Sequence, residues 1–289
     1  MNQRDSIGHL IPPNACPLTH EVSAFAPSNI ALVKYWGKRN ATLNLPLTDS
    51  LSISLAHLGA TTSIKAAEYD QYWLNTTLME MPCDFSLRLC AFLNLFRHED
   101  APGFYVSTQM NIPMAAGLAS SACGYAALTE ALNQLFSWNL DKKALSQISR
   151  LGSGSACRSH WQGFVHWHHG MSDNGRDCFA EPLTQSWDDL RILVLPNTHA
   201  TKSISSREAM LRCQNESPLF SQWPELTSNT LMNVQKAIAE KDIEKLGQQA
   251  QSHAVVMHEI MHACQPVIDY NTPTSLAQKQ AIITMQNQG

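Results

Sequence analysis

The stretch that most constrains this chain is Pro113-Met114-Ala115-Ala116-Gly117-Leu118-Ala119-Ser120-Ser121-Ala122-Cys123-Gly124. Its residues are small, and it sits where the hydrophobic period changes. Upstream, Phe104, Val106, Thr108 and Met110 alternate as a strand does. Downstream, Tyr125, Leu128, Leu132, Leu135 and Phe136 recur at helical spacing. Strand, small-residue loop and helix, in that order, set backbone N–H groups and a helix N-terminus against an anion. Ser120 and Ser121 add hydroxyls that can donate to phosphate oxygens. An ordinary loop with a serine cap has the same look, so the phosphate reading needs cations from elsewhere in the chain.

Those cations come in two places. Lys34-Tyr35-Trp36-Gly37-Lys38-Arg39 packs two lysines and an arginine around an aromatic pair, in a chain with only 20 lysines and arginines. Gly152-Ser153-Gly154-Ser155-Ala156-Cys157-Arg158-Ser159 is a second Gly/Ser-rich loop, here carrying an arginine. Two such loops and one cationic cluster describe a polyanionic ligand better than any one of them does.

Taken in order, residues 1–20 read as a mobile extension or a loosely docked arm. Alternation from Val22, the run Leu51, Ile53, Leu55, and the stretches 61–66 and 69–75 predict closely spaced strands, hence an antiparallel sheet. Residues 86–96 predict an amphipathic helix, and Asp141 a capped helix that stops at Gly152. Residues 164–167 resume a strand. Leu190-Arg191-Ile192-Leu193-Val194-Leu195 predicts a buried strand, after which 206–213, 223–239, 243–261 and 275–286 fit helices. A boundary near 185 divides the chain into 21–185 and 186–289.

A net charge of −4 with no basic run argues against a nucleic-acid partner. The sequence has no run of 18 apolar residues, which argues against a membrane span, and its first twenty residues lack the apolar core of a secretory signal. Eight cysteines without a C-x-x-C pair point to thiols in a reducing cytoplasm. His258-Glu259-Ile260-Met261-His262 matches a zinc-protease motif, but Cys264 and Asp269 fit no such spacing for the third ligand. His166, His168 and His169, with no carboxylate at matching spacing, read as surface.

Together these stretches resemble the diphosphomevalonate decarboxylase family of the GHMP kinase superfamily. The resemblance rests on Ala26-Pro27-Ser28-Asn29-Ile30-Ala31, Lys34 through Arg39, Leu43-Asn44-Leu45-Pro46, the loop at 113–124 and the arginine loop at 152–159, in that order. It implies an α+β, GHMP-kinase-like two-domain fold. The N-terminal domain holds a mainly antiparallel sheet with helices, and the C-terminal domain is helix-rich α+β. The site lies in the cleft between them. The implied reaction is ATP-dependent decarboxylation of mevalonate 5-diphosphate to isopentenyl diphosphate, in the cytoplasm and by a homodimer. By motif position, Pro113, Ala116, Gly117, Leu118, Ala119, Ser120, Ser121 and Ala122 would hold ATP, with Ser121 reaching Mg2+ through it. Tyr35, Lys38, Ser153, Gly154 and Ser155 would hold the substrate diphosphate. Arg158 would clamp the carboxylate, Asn29 would orient it, and Lys34 would sit beside the reacting hydroxyl.

The resemblance also implies an aspartate in an Asp-Ala-Gly-Pro-Asn segment near the C-terminus, and these 289 residues contain none. The expectation is a chain lacking its last strands, weak in ATP binding and nearly inactive. A mevalonate or phosphomevalonate 3-kinase that does not decarboxylate, or an inactive relic, are the alternatives. Asp177-Cys178, where the resemblance implies Asp-Ser, is a smaller departure.

Overall fold

The computed structural model describes residues 1–12, 16–97, 102–112, 118, 120–195 and 204–286. Among them, helix α1 (Gln3–Ile7) precedes strands β1 (Val22–Val33), β2 (Lys38–Asn40), β3 (Leu45–Pro46), β4 (Ser50–Ala67), β5 (Gln71–Leu74) and β6 (Thr77–Leu78). Helix α2 (Asp84–Leu93) and strand β7 (Gly103–Met110) lead to α3 (Ser120–Leu135) and α4 (Lys142–Gly152). A 3-10 helix (Gly154–His160) precedes β8 (Phe164–Trp167) and β9 (Ala180–Pro182). The rest is helical: α5 (Ser206–Glu216), α6 (Trp223–Glu240), α7 (Ile243–His262) and α8 (Pro273–Gln286), with a 3-10 turn at Phe220–Gln222.

β4 organises the sheet. One edge pairs with β1 over its whole length, and the other edge is shared by β8 near its start and β7 near its end. The order β6-β5-β7-β4-β8-β9 is antiparallel throughout except where β5 meets β7. The sequence suggested two strands at 51–55 and 61–66, and they are one. Ala56 has a left-handed φ of 53° and Gly59 follows it. The chain turns locally there, as in a bulge, and resumes the same ladder.

Helices α2, α3 and α4 cover the sheet through Leu89, Phe92, Leu128, Leu132, Ile148 and Leu151, which share its main core. Asp141 caps α4 by accepting from the Ala144 N–H at 2.8 Å. The helical half attaches through two buried clusters. Trp36 packs with Met210, Phe220 and Trp223, and Val33 with Val234 and Ile238. Truncating either tryptophan to alanine would remove about 3–5 kcal/mol of packing from that joint.

Three local expectations change. Residues 3–7 form a helix, with Ile7 1% exposed in the main core, where an extension was expected. The arginine loop is wound into the 3-10 helix Gly154–His160. Residues 190–195 are not a strand, and Leu193 is 83% exposed. A strand exists only within a ladder, and among the described residues none pairs with this run.

Candidate functional site

A cleft of about 660 Å³ opens between the sheet half and the helical half. Its walls come from the end of β1, the first turn of α3, the start of the 3-10 helix, and residues 205–207 and 257 of the helical half. Five cations line it, Lys34, Lys38, Arg88, Arg158 and Arg207, and no carboxylate does among the described residues. A lining with that imbalance favours a polyanion over any cationic or neutral occupant.

Arg158 forms the floor. It is 2% exposed, yet its partners are neutral: Nη1 donates to Ser50 Oγ at 2.6 Å and Nη2 to Asn29 Oδ1 at 3.4 Å. Its Nε has no partner among the described residues. Burial draws the guanidinium down to about 10, which leaves it charged at neutral pH. Asn29 is fixed from behind, its amide donating to Ser159 Oγ at 2.8 Å and Ser155 O at 3.3 Å, so its carbonyl faces the arginine. Tyr35 stands edge-on to Trp167 with centroids 4.9 Å apart, and its buried hydroxyl also lacks a partner. Burial pushes that phenol well above its usual range, so it remains a donor. Gly154 makes room for it, since a Cβ there would lie 2.7 Å from the Tyr35 ring.

Both lysines are held as weak acids. Burial first, then Arg158, draws Lys34 down to about 8, and burial with Arg207 does the same to Lys38. Lys34 Nζ donates to Ala31 O at 2.8 Å. Its backbone N–H donates to His253 Nδ1 at 3.1 Å. That ring stacks on Trp223 at 4.4 Å, meets Thr227 Oγ1 at 3.2 Å, and is pushed down to about 4 by burial. His253 is therefore a neutral acceptor that fixes the backbone of Lys34, a role that no local pattern signals. Lys38 Nζ donates to Asn44 Oδ1 at 2.7 Å, and the Asn44 amide donates to the Arg150 and Leu151 carbonyls at 2.9 and 3.1 Å. Gly37 between them has φ +99°, with Phe220 where a side chain would stand.

Of the phosphate loop, Pro113, Ala116, Gly117 and Ala119 lie outside the described residues. Leu118 lines the cleft, and its carbonyl accepts from Ser28 Oγ. Ser120 and Ser121 line it at the first turn of α3, with Ser121 Oγ 3.2 Å from Ser153 Oγ. Ala122 is buried beneath that turn and does not reach the cleft. Ser153, Gly154 and Ser155 line the cleft alongside that turn. Arg39 departs from the cationic cluster, its Nη2 donating to the His169 and Ser172 carbonyls at 3.2 and 3.0 Å. Arg88 and Arg207 take its place, and neither stood out in the sequence. One reads as an outer-face helical arginine, and the other follows the Ser205 cap of α5. Neither Asp177 nor Cys178 lines the cleft.

Two histidine groups also differ from expectation. Asp269 meets His262 at 3.3 Å, because the loop after α7 folds back, and the ligand atoms of His258, His262 and Asp269 lie within 4.8 Å of one another. His166 is buried, and Asp49, 117 residues away in sequence, meets its Nε2 at 2.8 Å. The missing carboxylate was supplied by strand pairing rather than by local spacing.

Residues 26–180 match the model of the diphosphomevalonate decarboxylase-like N-terminal domain, and 192–288 that of the mevalonate 5-diphosphate decarboxylase C-terminal domain. The diphosphomevalonate decarboxylase of Schizosaccharomyces pombe is 35% identical over 279 residues, covering 89% of this chain and 71% of the relative. A solved structure concerning mevalonate-diphosphate-mediated ATP binding by the Enterococcus faecalis mevalonate diphosphate decarboxylase superposes with a TM-score of 0.80 at 31% identity, covering 93% and 83%. A structure named MDDEF in complex with MVAPP, AMPPCP and magnesium gives 0.82 at 32%, with the same coverage. No helix among the described residues is long and apolar enough to cross a membrane.

Proposed function

The chain belongs to the diphosphomevalonate decarboxylase family, and on that footing we propose that its cleft takes mevalonate 5-diphosphate and ATP and joins phosphoryl transfer to decarboxylation. The observation that carries this is the cleft's five cations without a facing carboxylate, around an arginine whose Nε is unpartnered. Triphosphate, diphosphate and carboxylate groups are what such a pocket can neutralise.

The roles follow from position. Arg158 presents a planar fork to the substrate carboxylate, for which a lysine would be a poorer match, and Asn29 holds the fork's angle. Tyr35, Lys38, Ser153 and Ser155 donate to the diphosphate, with Gly154 keeping the Tyr35 ring in reach. Lys34 lies beside the 3-hydroxyl. Ser120, Ser121, Leu118 and the N-terminus of α3 receive the ATP phosphates, together with the loop residues Pro113, Ala116, Gly117, Ala119 and the backbone at Ala122. Ser121 would hold the Mg2+ that accompanies ATP, and that ion would supply charge neutralisation to the phosphates. The γ-phosphoryl group passes to the 3-oxygen. That phosphate then leaves with its oxygen while the carboxylate carbon departs as carbon dioxide, and the electrons of the broken C–C bond form the double bond of isopentenyl diphosphate. Exclusion of water by the bound substrates matters because water would quench positive charge at C3.

No acidic group lines the cleft to receive the hydroxyl proton, among the described residues. A placed acceptor for that proton contributes about 10²–10⁴-fold to turnover in reactions of this kind. We place it in the cytoplasm as a homodimer, with domains at 21–185 and 186–289. Measuring ADP, phosphate and carbon dioxide together on the purified 289-residue chain tests the reading. The expected result is slow, equimolar release of all three. ADP without carbon dioxide would make it a 3-kinase, and saturable binding with no product would make it a relic.

A further inference from the structure

Behind the cleft, on the far side of the β4–β8 pair, lies a histidine cluster that the decarboxylation chemistry does not use. Register builds it. Ser50 pairs with Trp167 and Leu51 with His166, so Asp49, just before β4, comes alongside His168, just after β8. Side chains at 166 and 168 share one face of the strand, and β9 sets Glu181 directly opposite His166.

We propose that Asp49, His166 and His168 form a binding site for a borderline first-row divalent cation, of which Zn2+ is the representative. Asp49 Oδ2 lies 2.8 Å from His166 Nε2 and 4.0 Å from His168 Nδ1, and the three ligand atoms fall within 4.8 Å of one another. Ligands about 2.0–2.1 Å from a tetrahedral zinc are about 3.3 Å apart, so changes of up to about 1.5 Å in these separations would close the set. Glu181 makes the arrangement more than a coincidence of histidines. Its Oε1 sits 2.8 Å from His168 Nε2, which holds that ring with Nε2–H outward and the Nδ1 lone pair toward Asp49. A carboxylate behind a histidine in this way fixes the tautomer a metal ligand requires. His169 closes the side, with its Nδ1 and its backbone N–H (2.7 Å) both on Asp49 Oδ1. On metal binding, the proton between His166 Nε2 and Asp49 Oδ2 moves to Nδ1 of the same ring, and both freed atoms turn to the ion. Two imidazoles and one carboxylate select zinc, cobalt or nickel over magnesium, so the site does not compete for the ion that accompanies ATP.

The position gives the ion a consequence. Asp49 adjoins Ser50, which accepts from Arg158, and His166 and His168 flank Trp167, whose ring lies 5.7 Å from the Arg158 guanidinium. A metal here ties together the two strand ends that seat the arginine. The second histidine group, on α7, is less suited: His262 and Asp269 are both more than 40% exposed.

Equilibrium dialysis of the full chain against micromolar Zn2+ in excess Mg2+ tests the site, with Co2+ absorption as a second probe. One zinc per chain is expected, with a visible Co2+ band and a higher thermal midpoint. The His166→Ala, His168→Ala double variant should lose all three, while the His258→Ala, His262→Ala double variant keeps them. If the first double variant does not fold, Glu181→Gln, at a half-exposed position, should fold and bind zinc about 10–100-fold more weakly. Substoichiometric zinc in the wild-type chain, zinc retained without His166 and His168, or Glu181→Gln binding as tightly as wild type would overturn the proposal.

Discussion

Two arginines in this protein are almost completely buried, and neither meets a carboxylate among the described residues. Arg150 is 1% exposed and surrounded by backbone, donating to Leu43 O at 3.2 Å, Gly175 O at 2.9 Å and Cys178 O at 2.6 Å. Arg158 is equally buried, but it rests on one hydroxyl and one amide, and its Nε is unpartnered. Burying a charge is costly unless it is hydrogen-bonded. At Arg150 the carbonyls offset that cost permanently, and the side chain pins β3, α4 and the turn before β9 together. At Arg158 the compensation is incomplete, and the remaining partner has to come from outside. One arginine is structural and the other is a receptor, and the distinction lies in their partners rather than their burial.

The comparison can be broken at its structural end first. Arg150→Met takes the arginine donor from three carbonyls, of which Gly175 O keeps the Cys178 N–H at 3.3 Å, and denaturant unfolding should report a loss of about 3–5 kcal/mol, with ligand affinity unchanged in the fraction that folds. A loss under about 1 kcal/mol would place Arg150 among ordinary surface-like residues.

A smaller effect is expected at the receptor's rim. Gly154→Ala puts a methyl group against the Tyr35 ring, and overpacking of that kind costs about 1–3 kcal/mol. Affinity for mevalonate 5-diphosphate, read by calorimetry, should fall about tenfold. Recovery in a Gly154→Ala, Tyr35→Leu pair would not be expected, because the donor hydroxyl is then gone.

A further effect is in pH. Lys34 and Lys38, both near 8, lose their protons as pH rises from about 7 to 9, whereas a bound polyanion keeps them charged. Binding should be flat below about pH 7, then weaken by up to about tenfold per pH unit for each lysine. It should also take up protons, which calorimetry in two buffers measures. The unliganded fold behaves oppositely. Its lowered lysine values oppose folding below pH 8, and that cost is relieved as pH approaches the ordinary 10.5. Stability without ligand therefore rises over the window in which affinity falls.

Much of this was legible from residue types. The alternation in β1 and β7, the helical period of α3 and the Asp141 cap are local properties, and local physics reveals them. The chemistry of Lys34, Lys38 and Arg158 was legible because few other residues can neutralise phosphate and carboxylate groups. What escaped was tertiary. Ala56 and Gly59 look like the end of a strand, and only the continued pairing of β4 shows that they are not. Arg88 and Arg207 become cleft residues only because two halves of the chain meet. Residues 190–195 have the composition of a strand, but composition supplies no pairing partner. Asp49 reaches His166 across 117 residues through strand register, which no spacing rule could anticipate.

The most direct test titrates mevalonate 5-diphosphate into the wild-type chain, Arg158→Gln and Arg150→Met by calorimetry, with thermal unfolding run alongside. Removing one side of a buried charged pair costs about 2–5 kcal/mol. Arg158→Gln should therefore bind about 30-fold more weakly or worse, at an unfolding midpoint no lower than wild type, while Arg150→Met loses stability and keeps its affinity. Arg158→Gln binding within about twofold of wild type, a difference of under about 0.5 kcal/mol, would contradict the account.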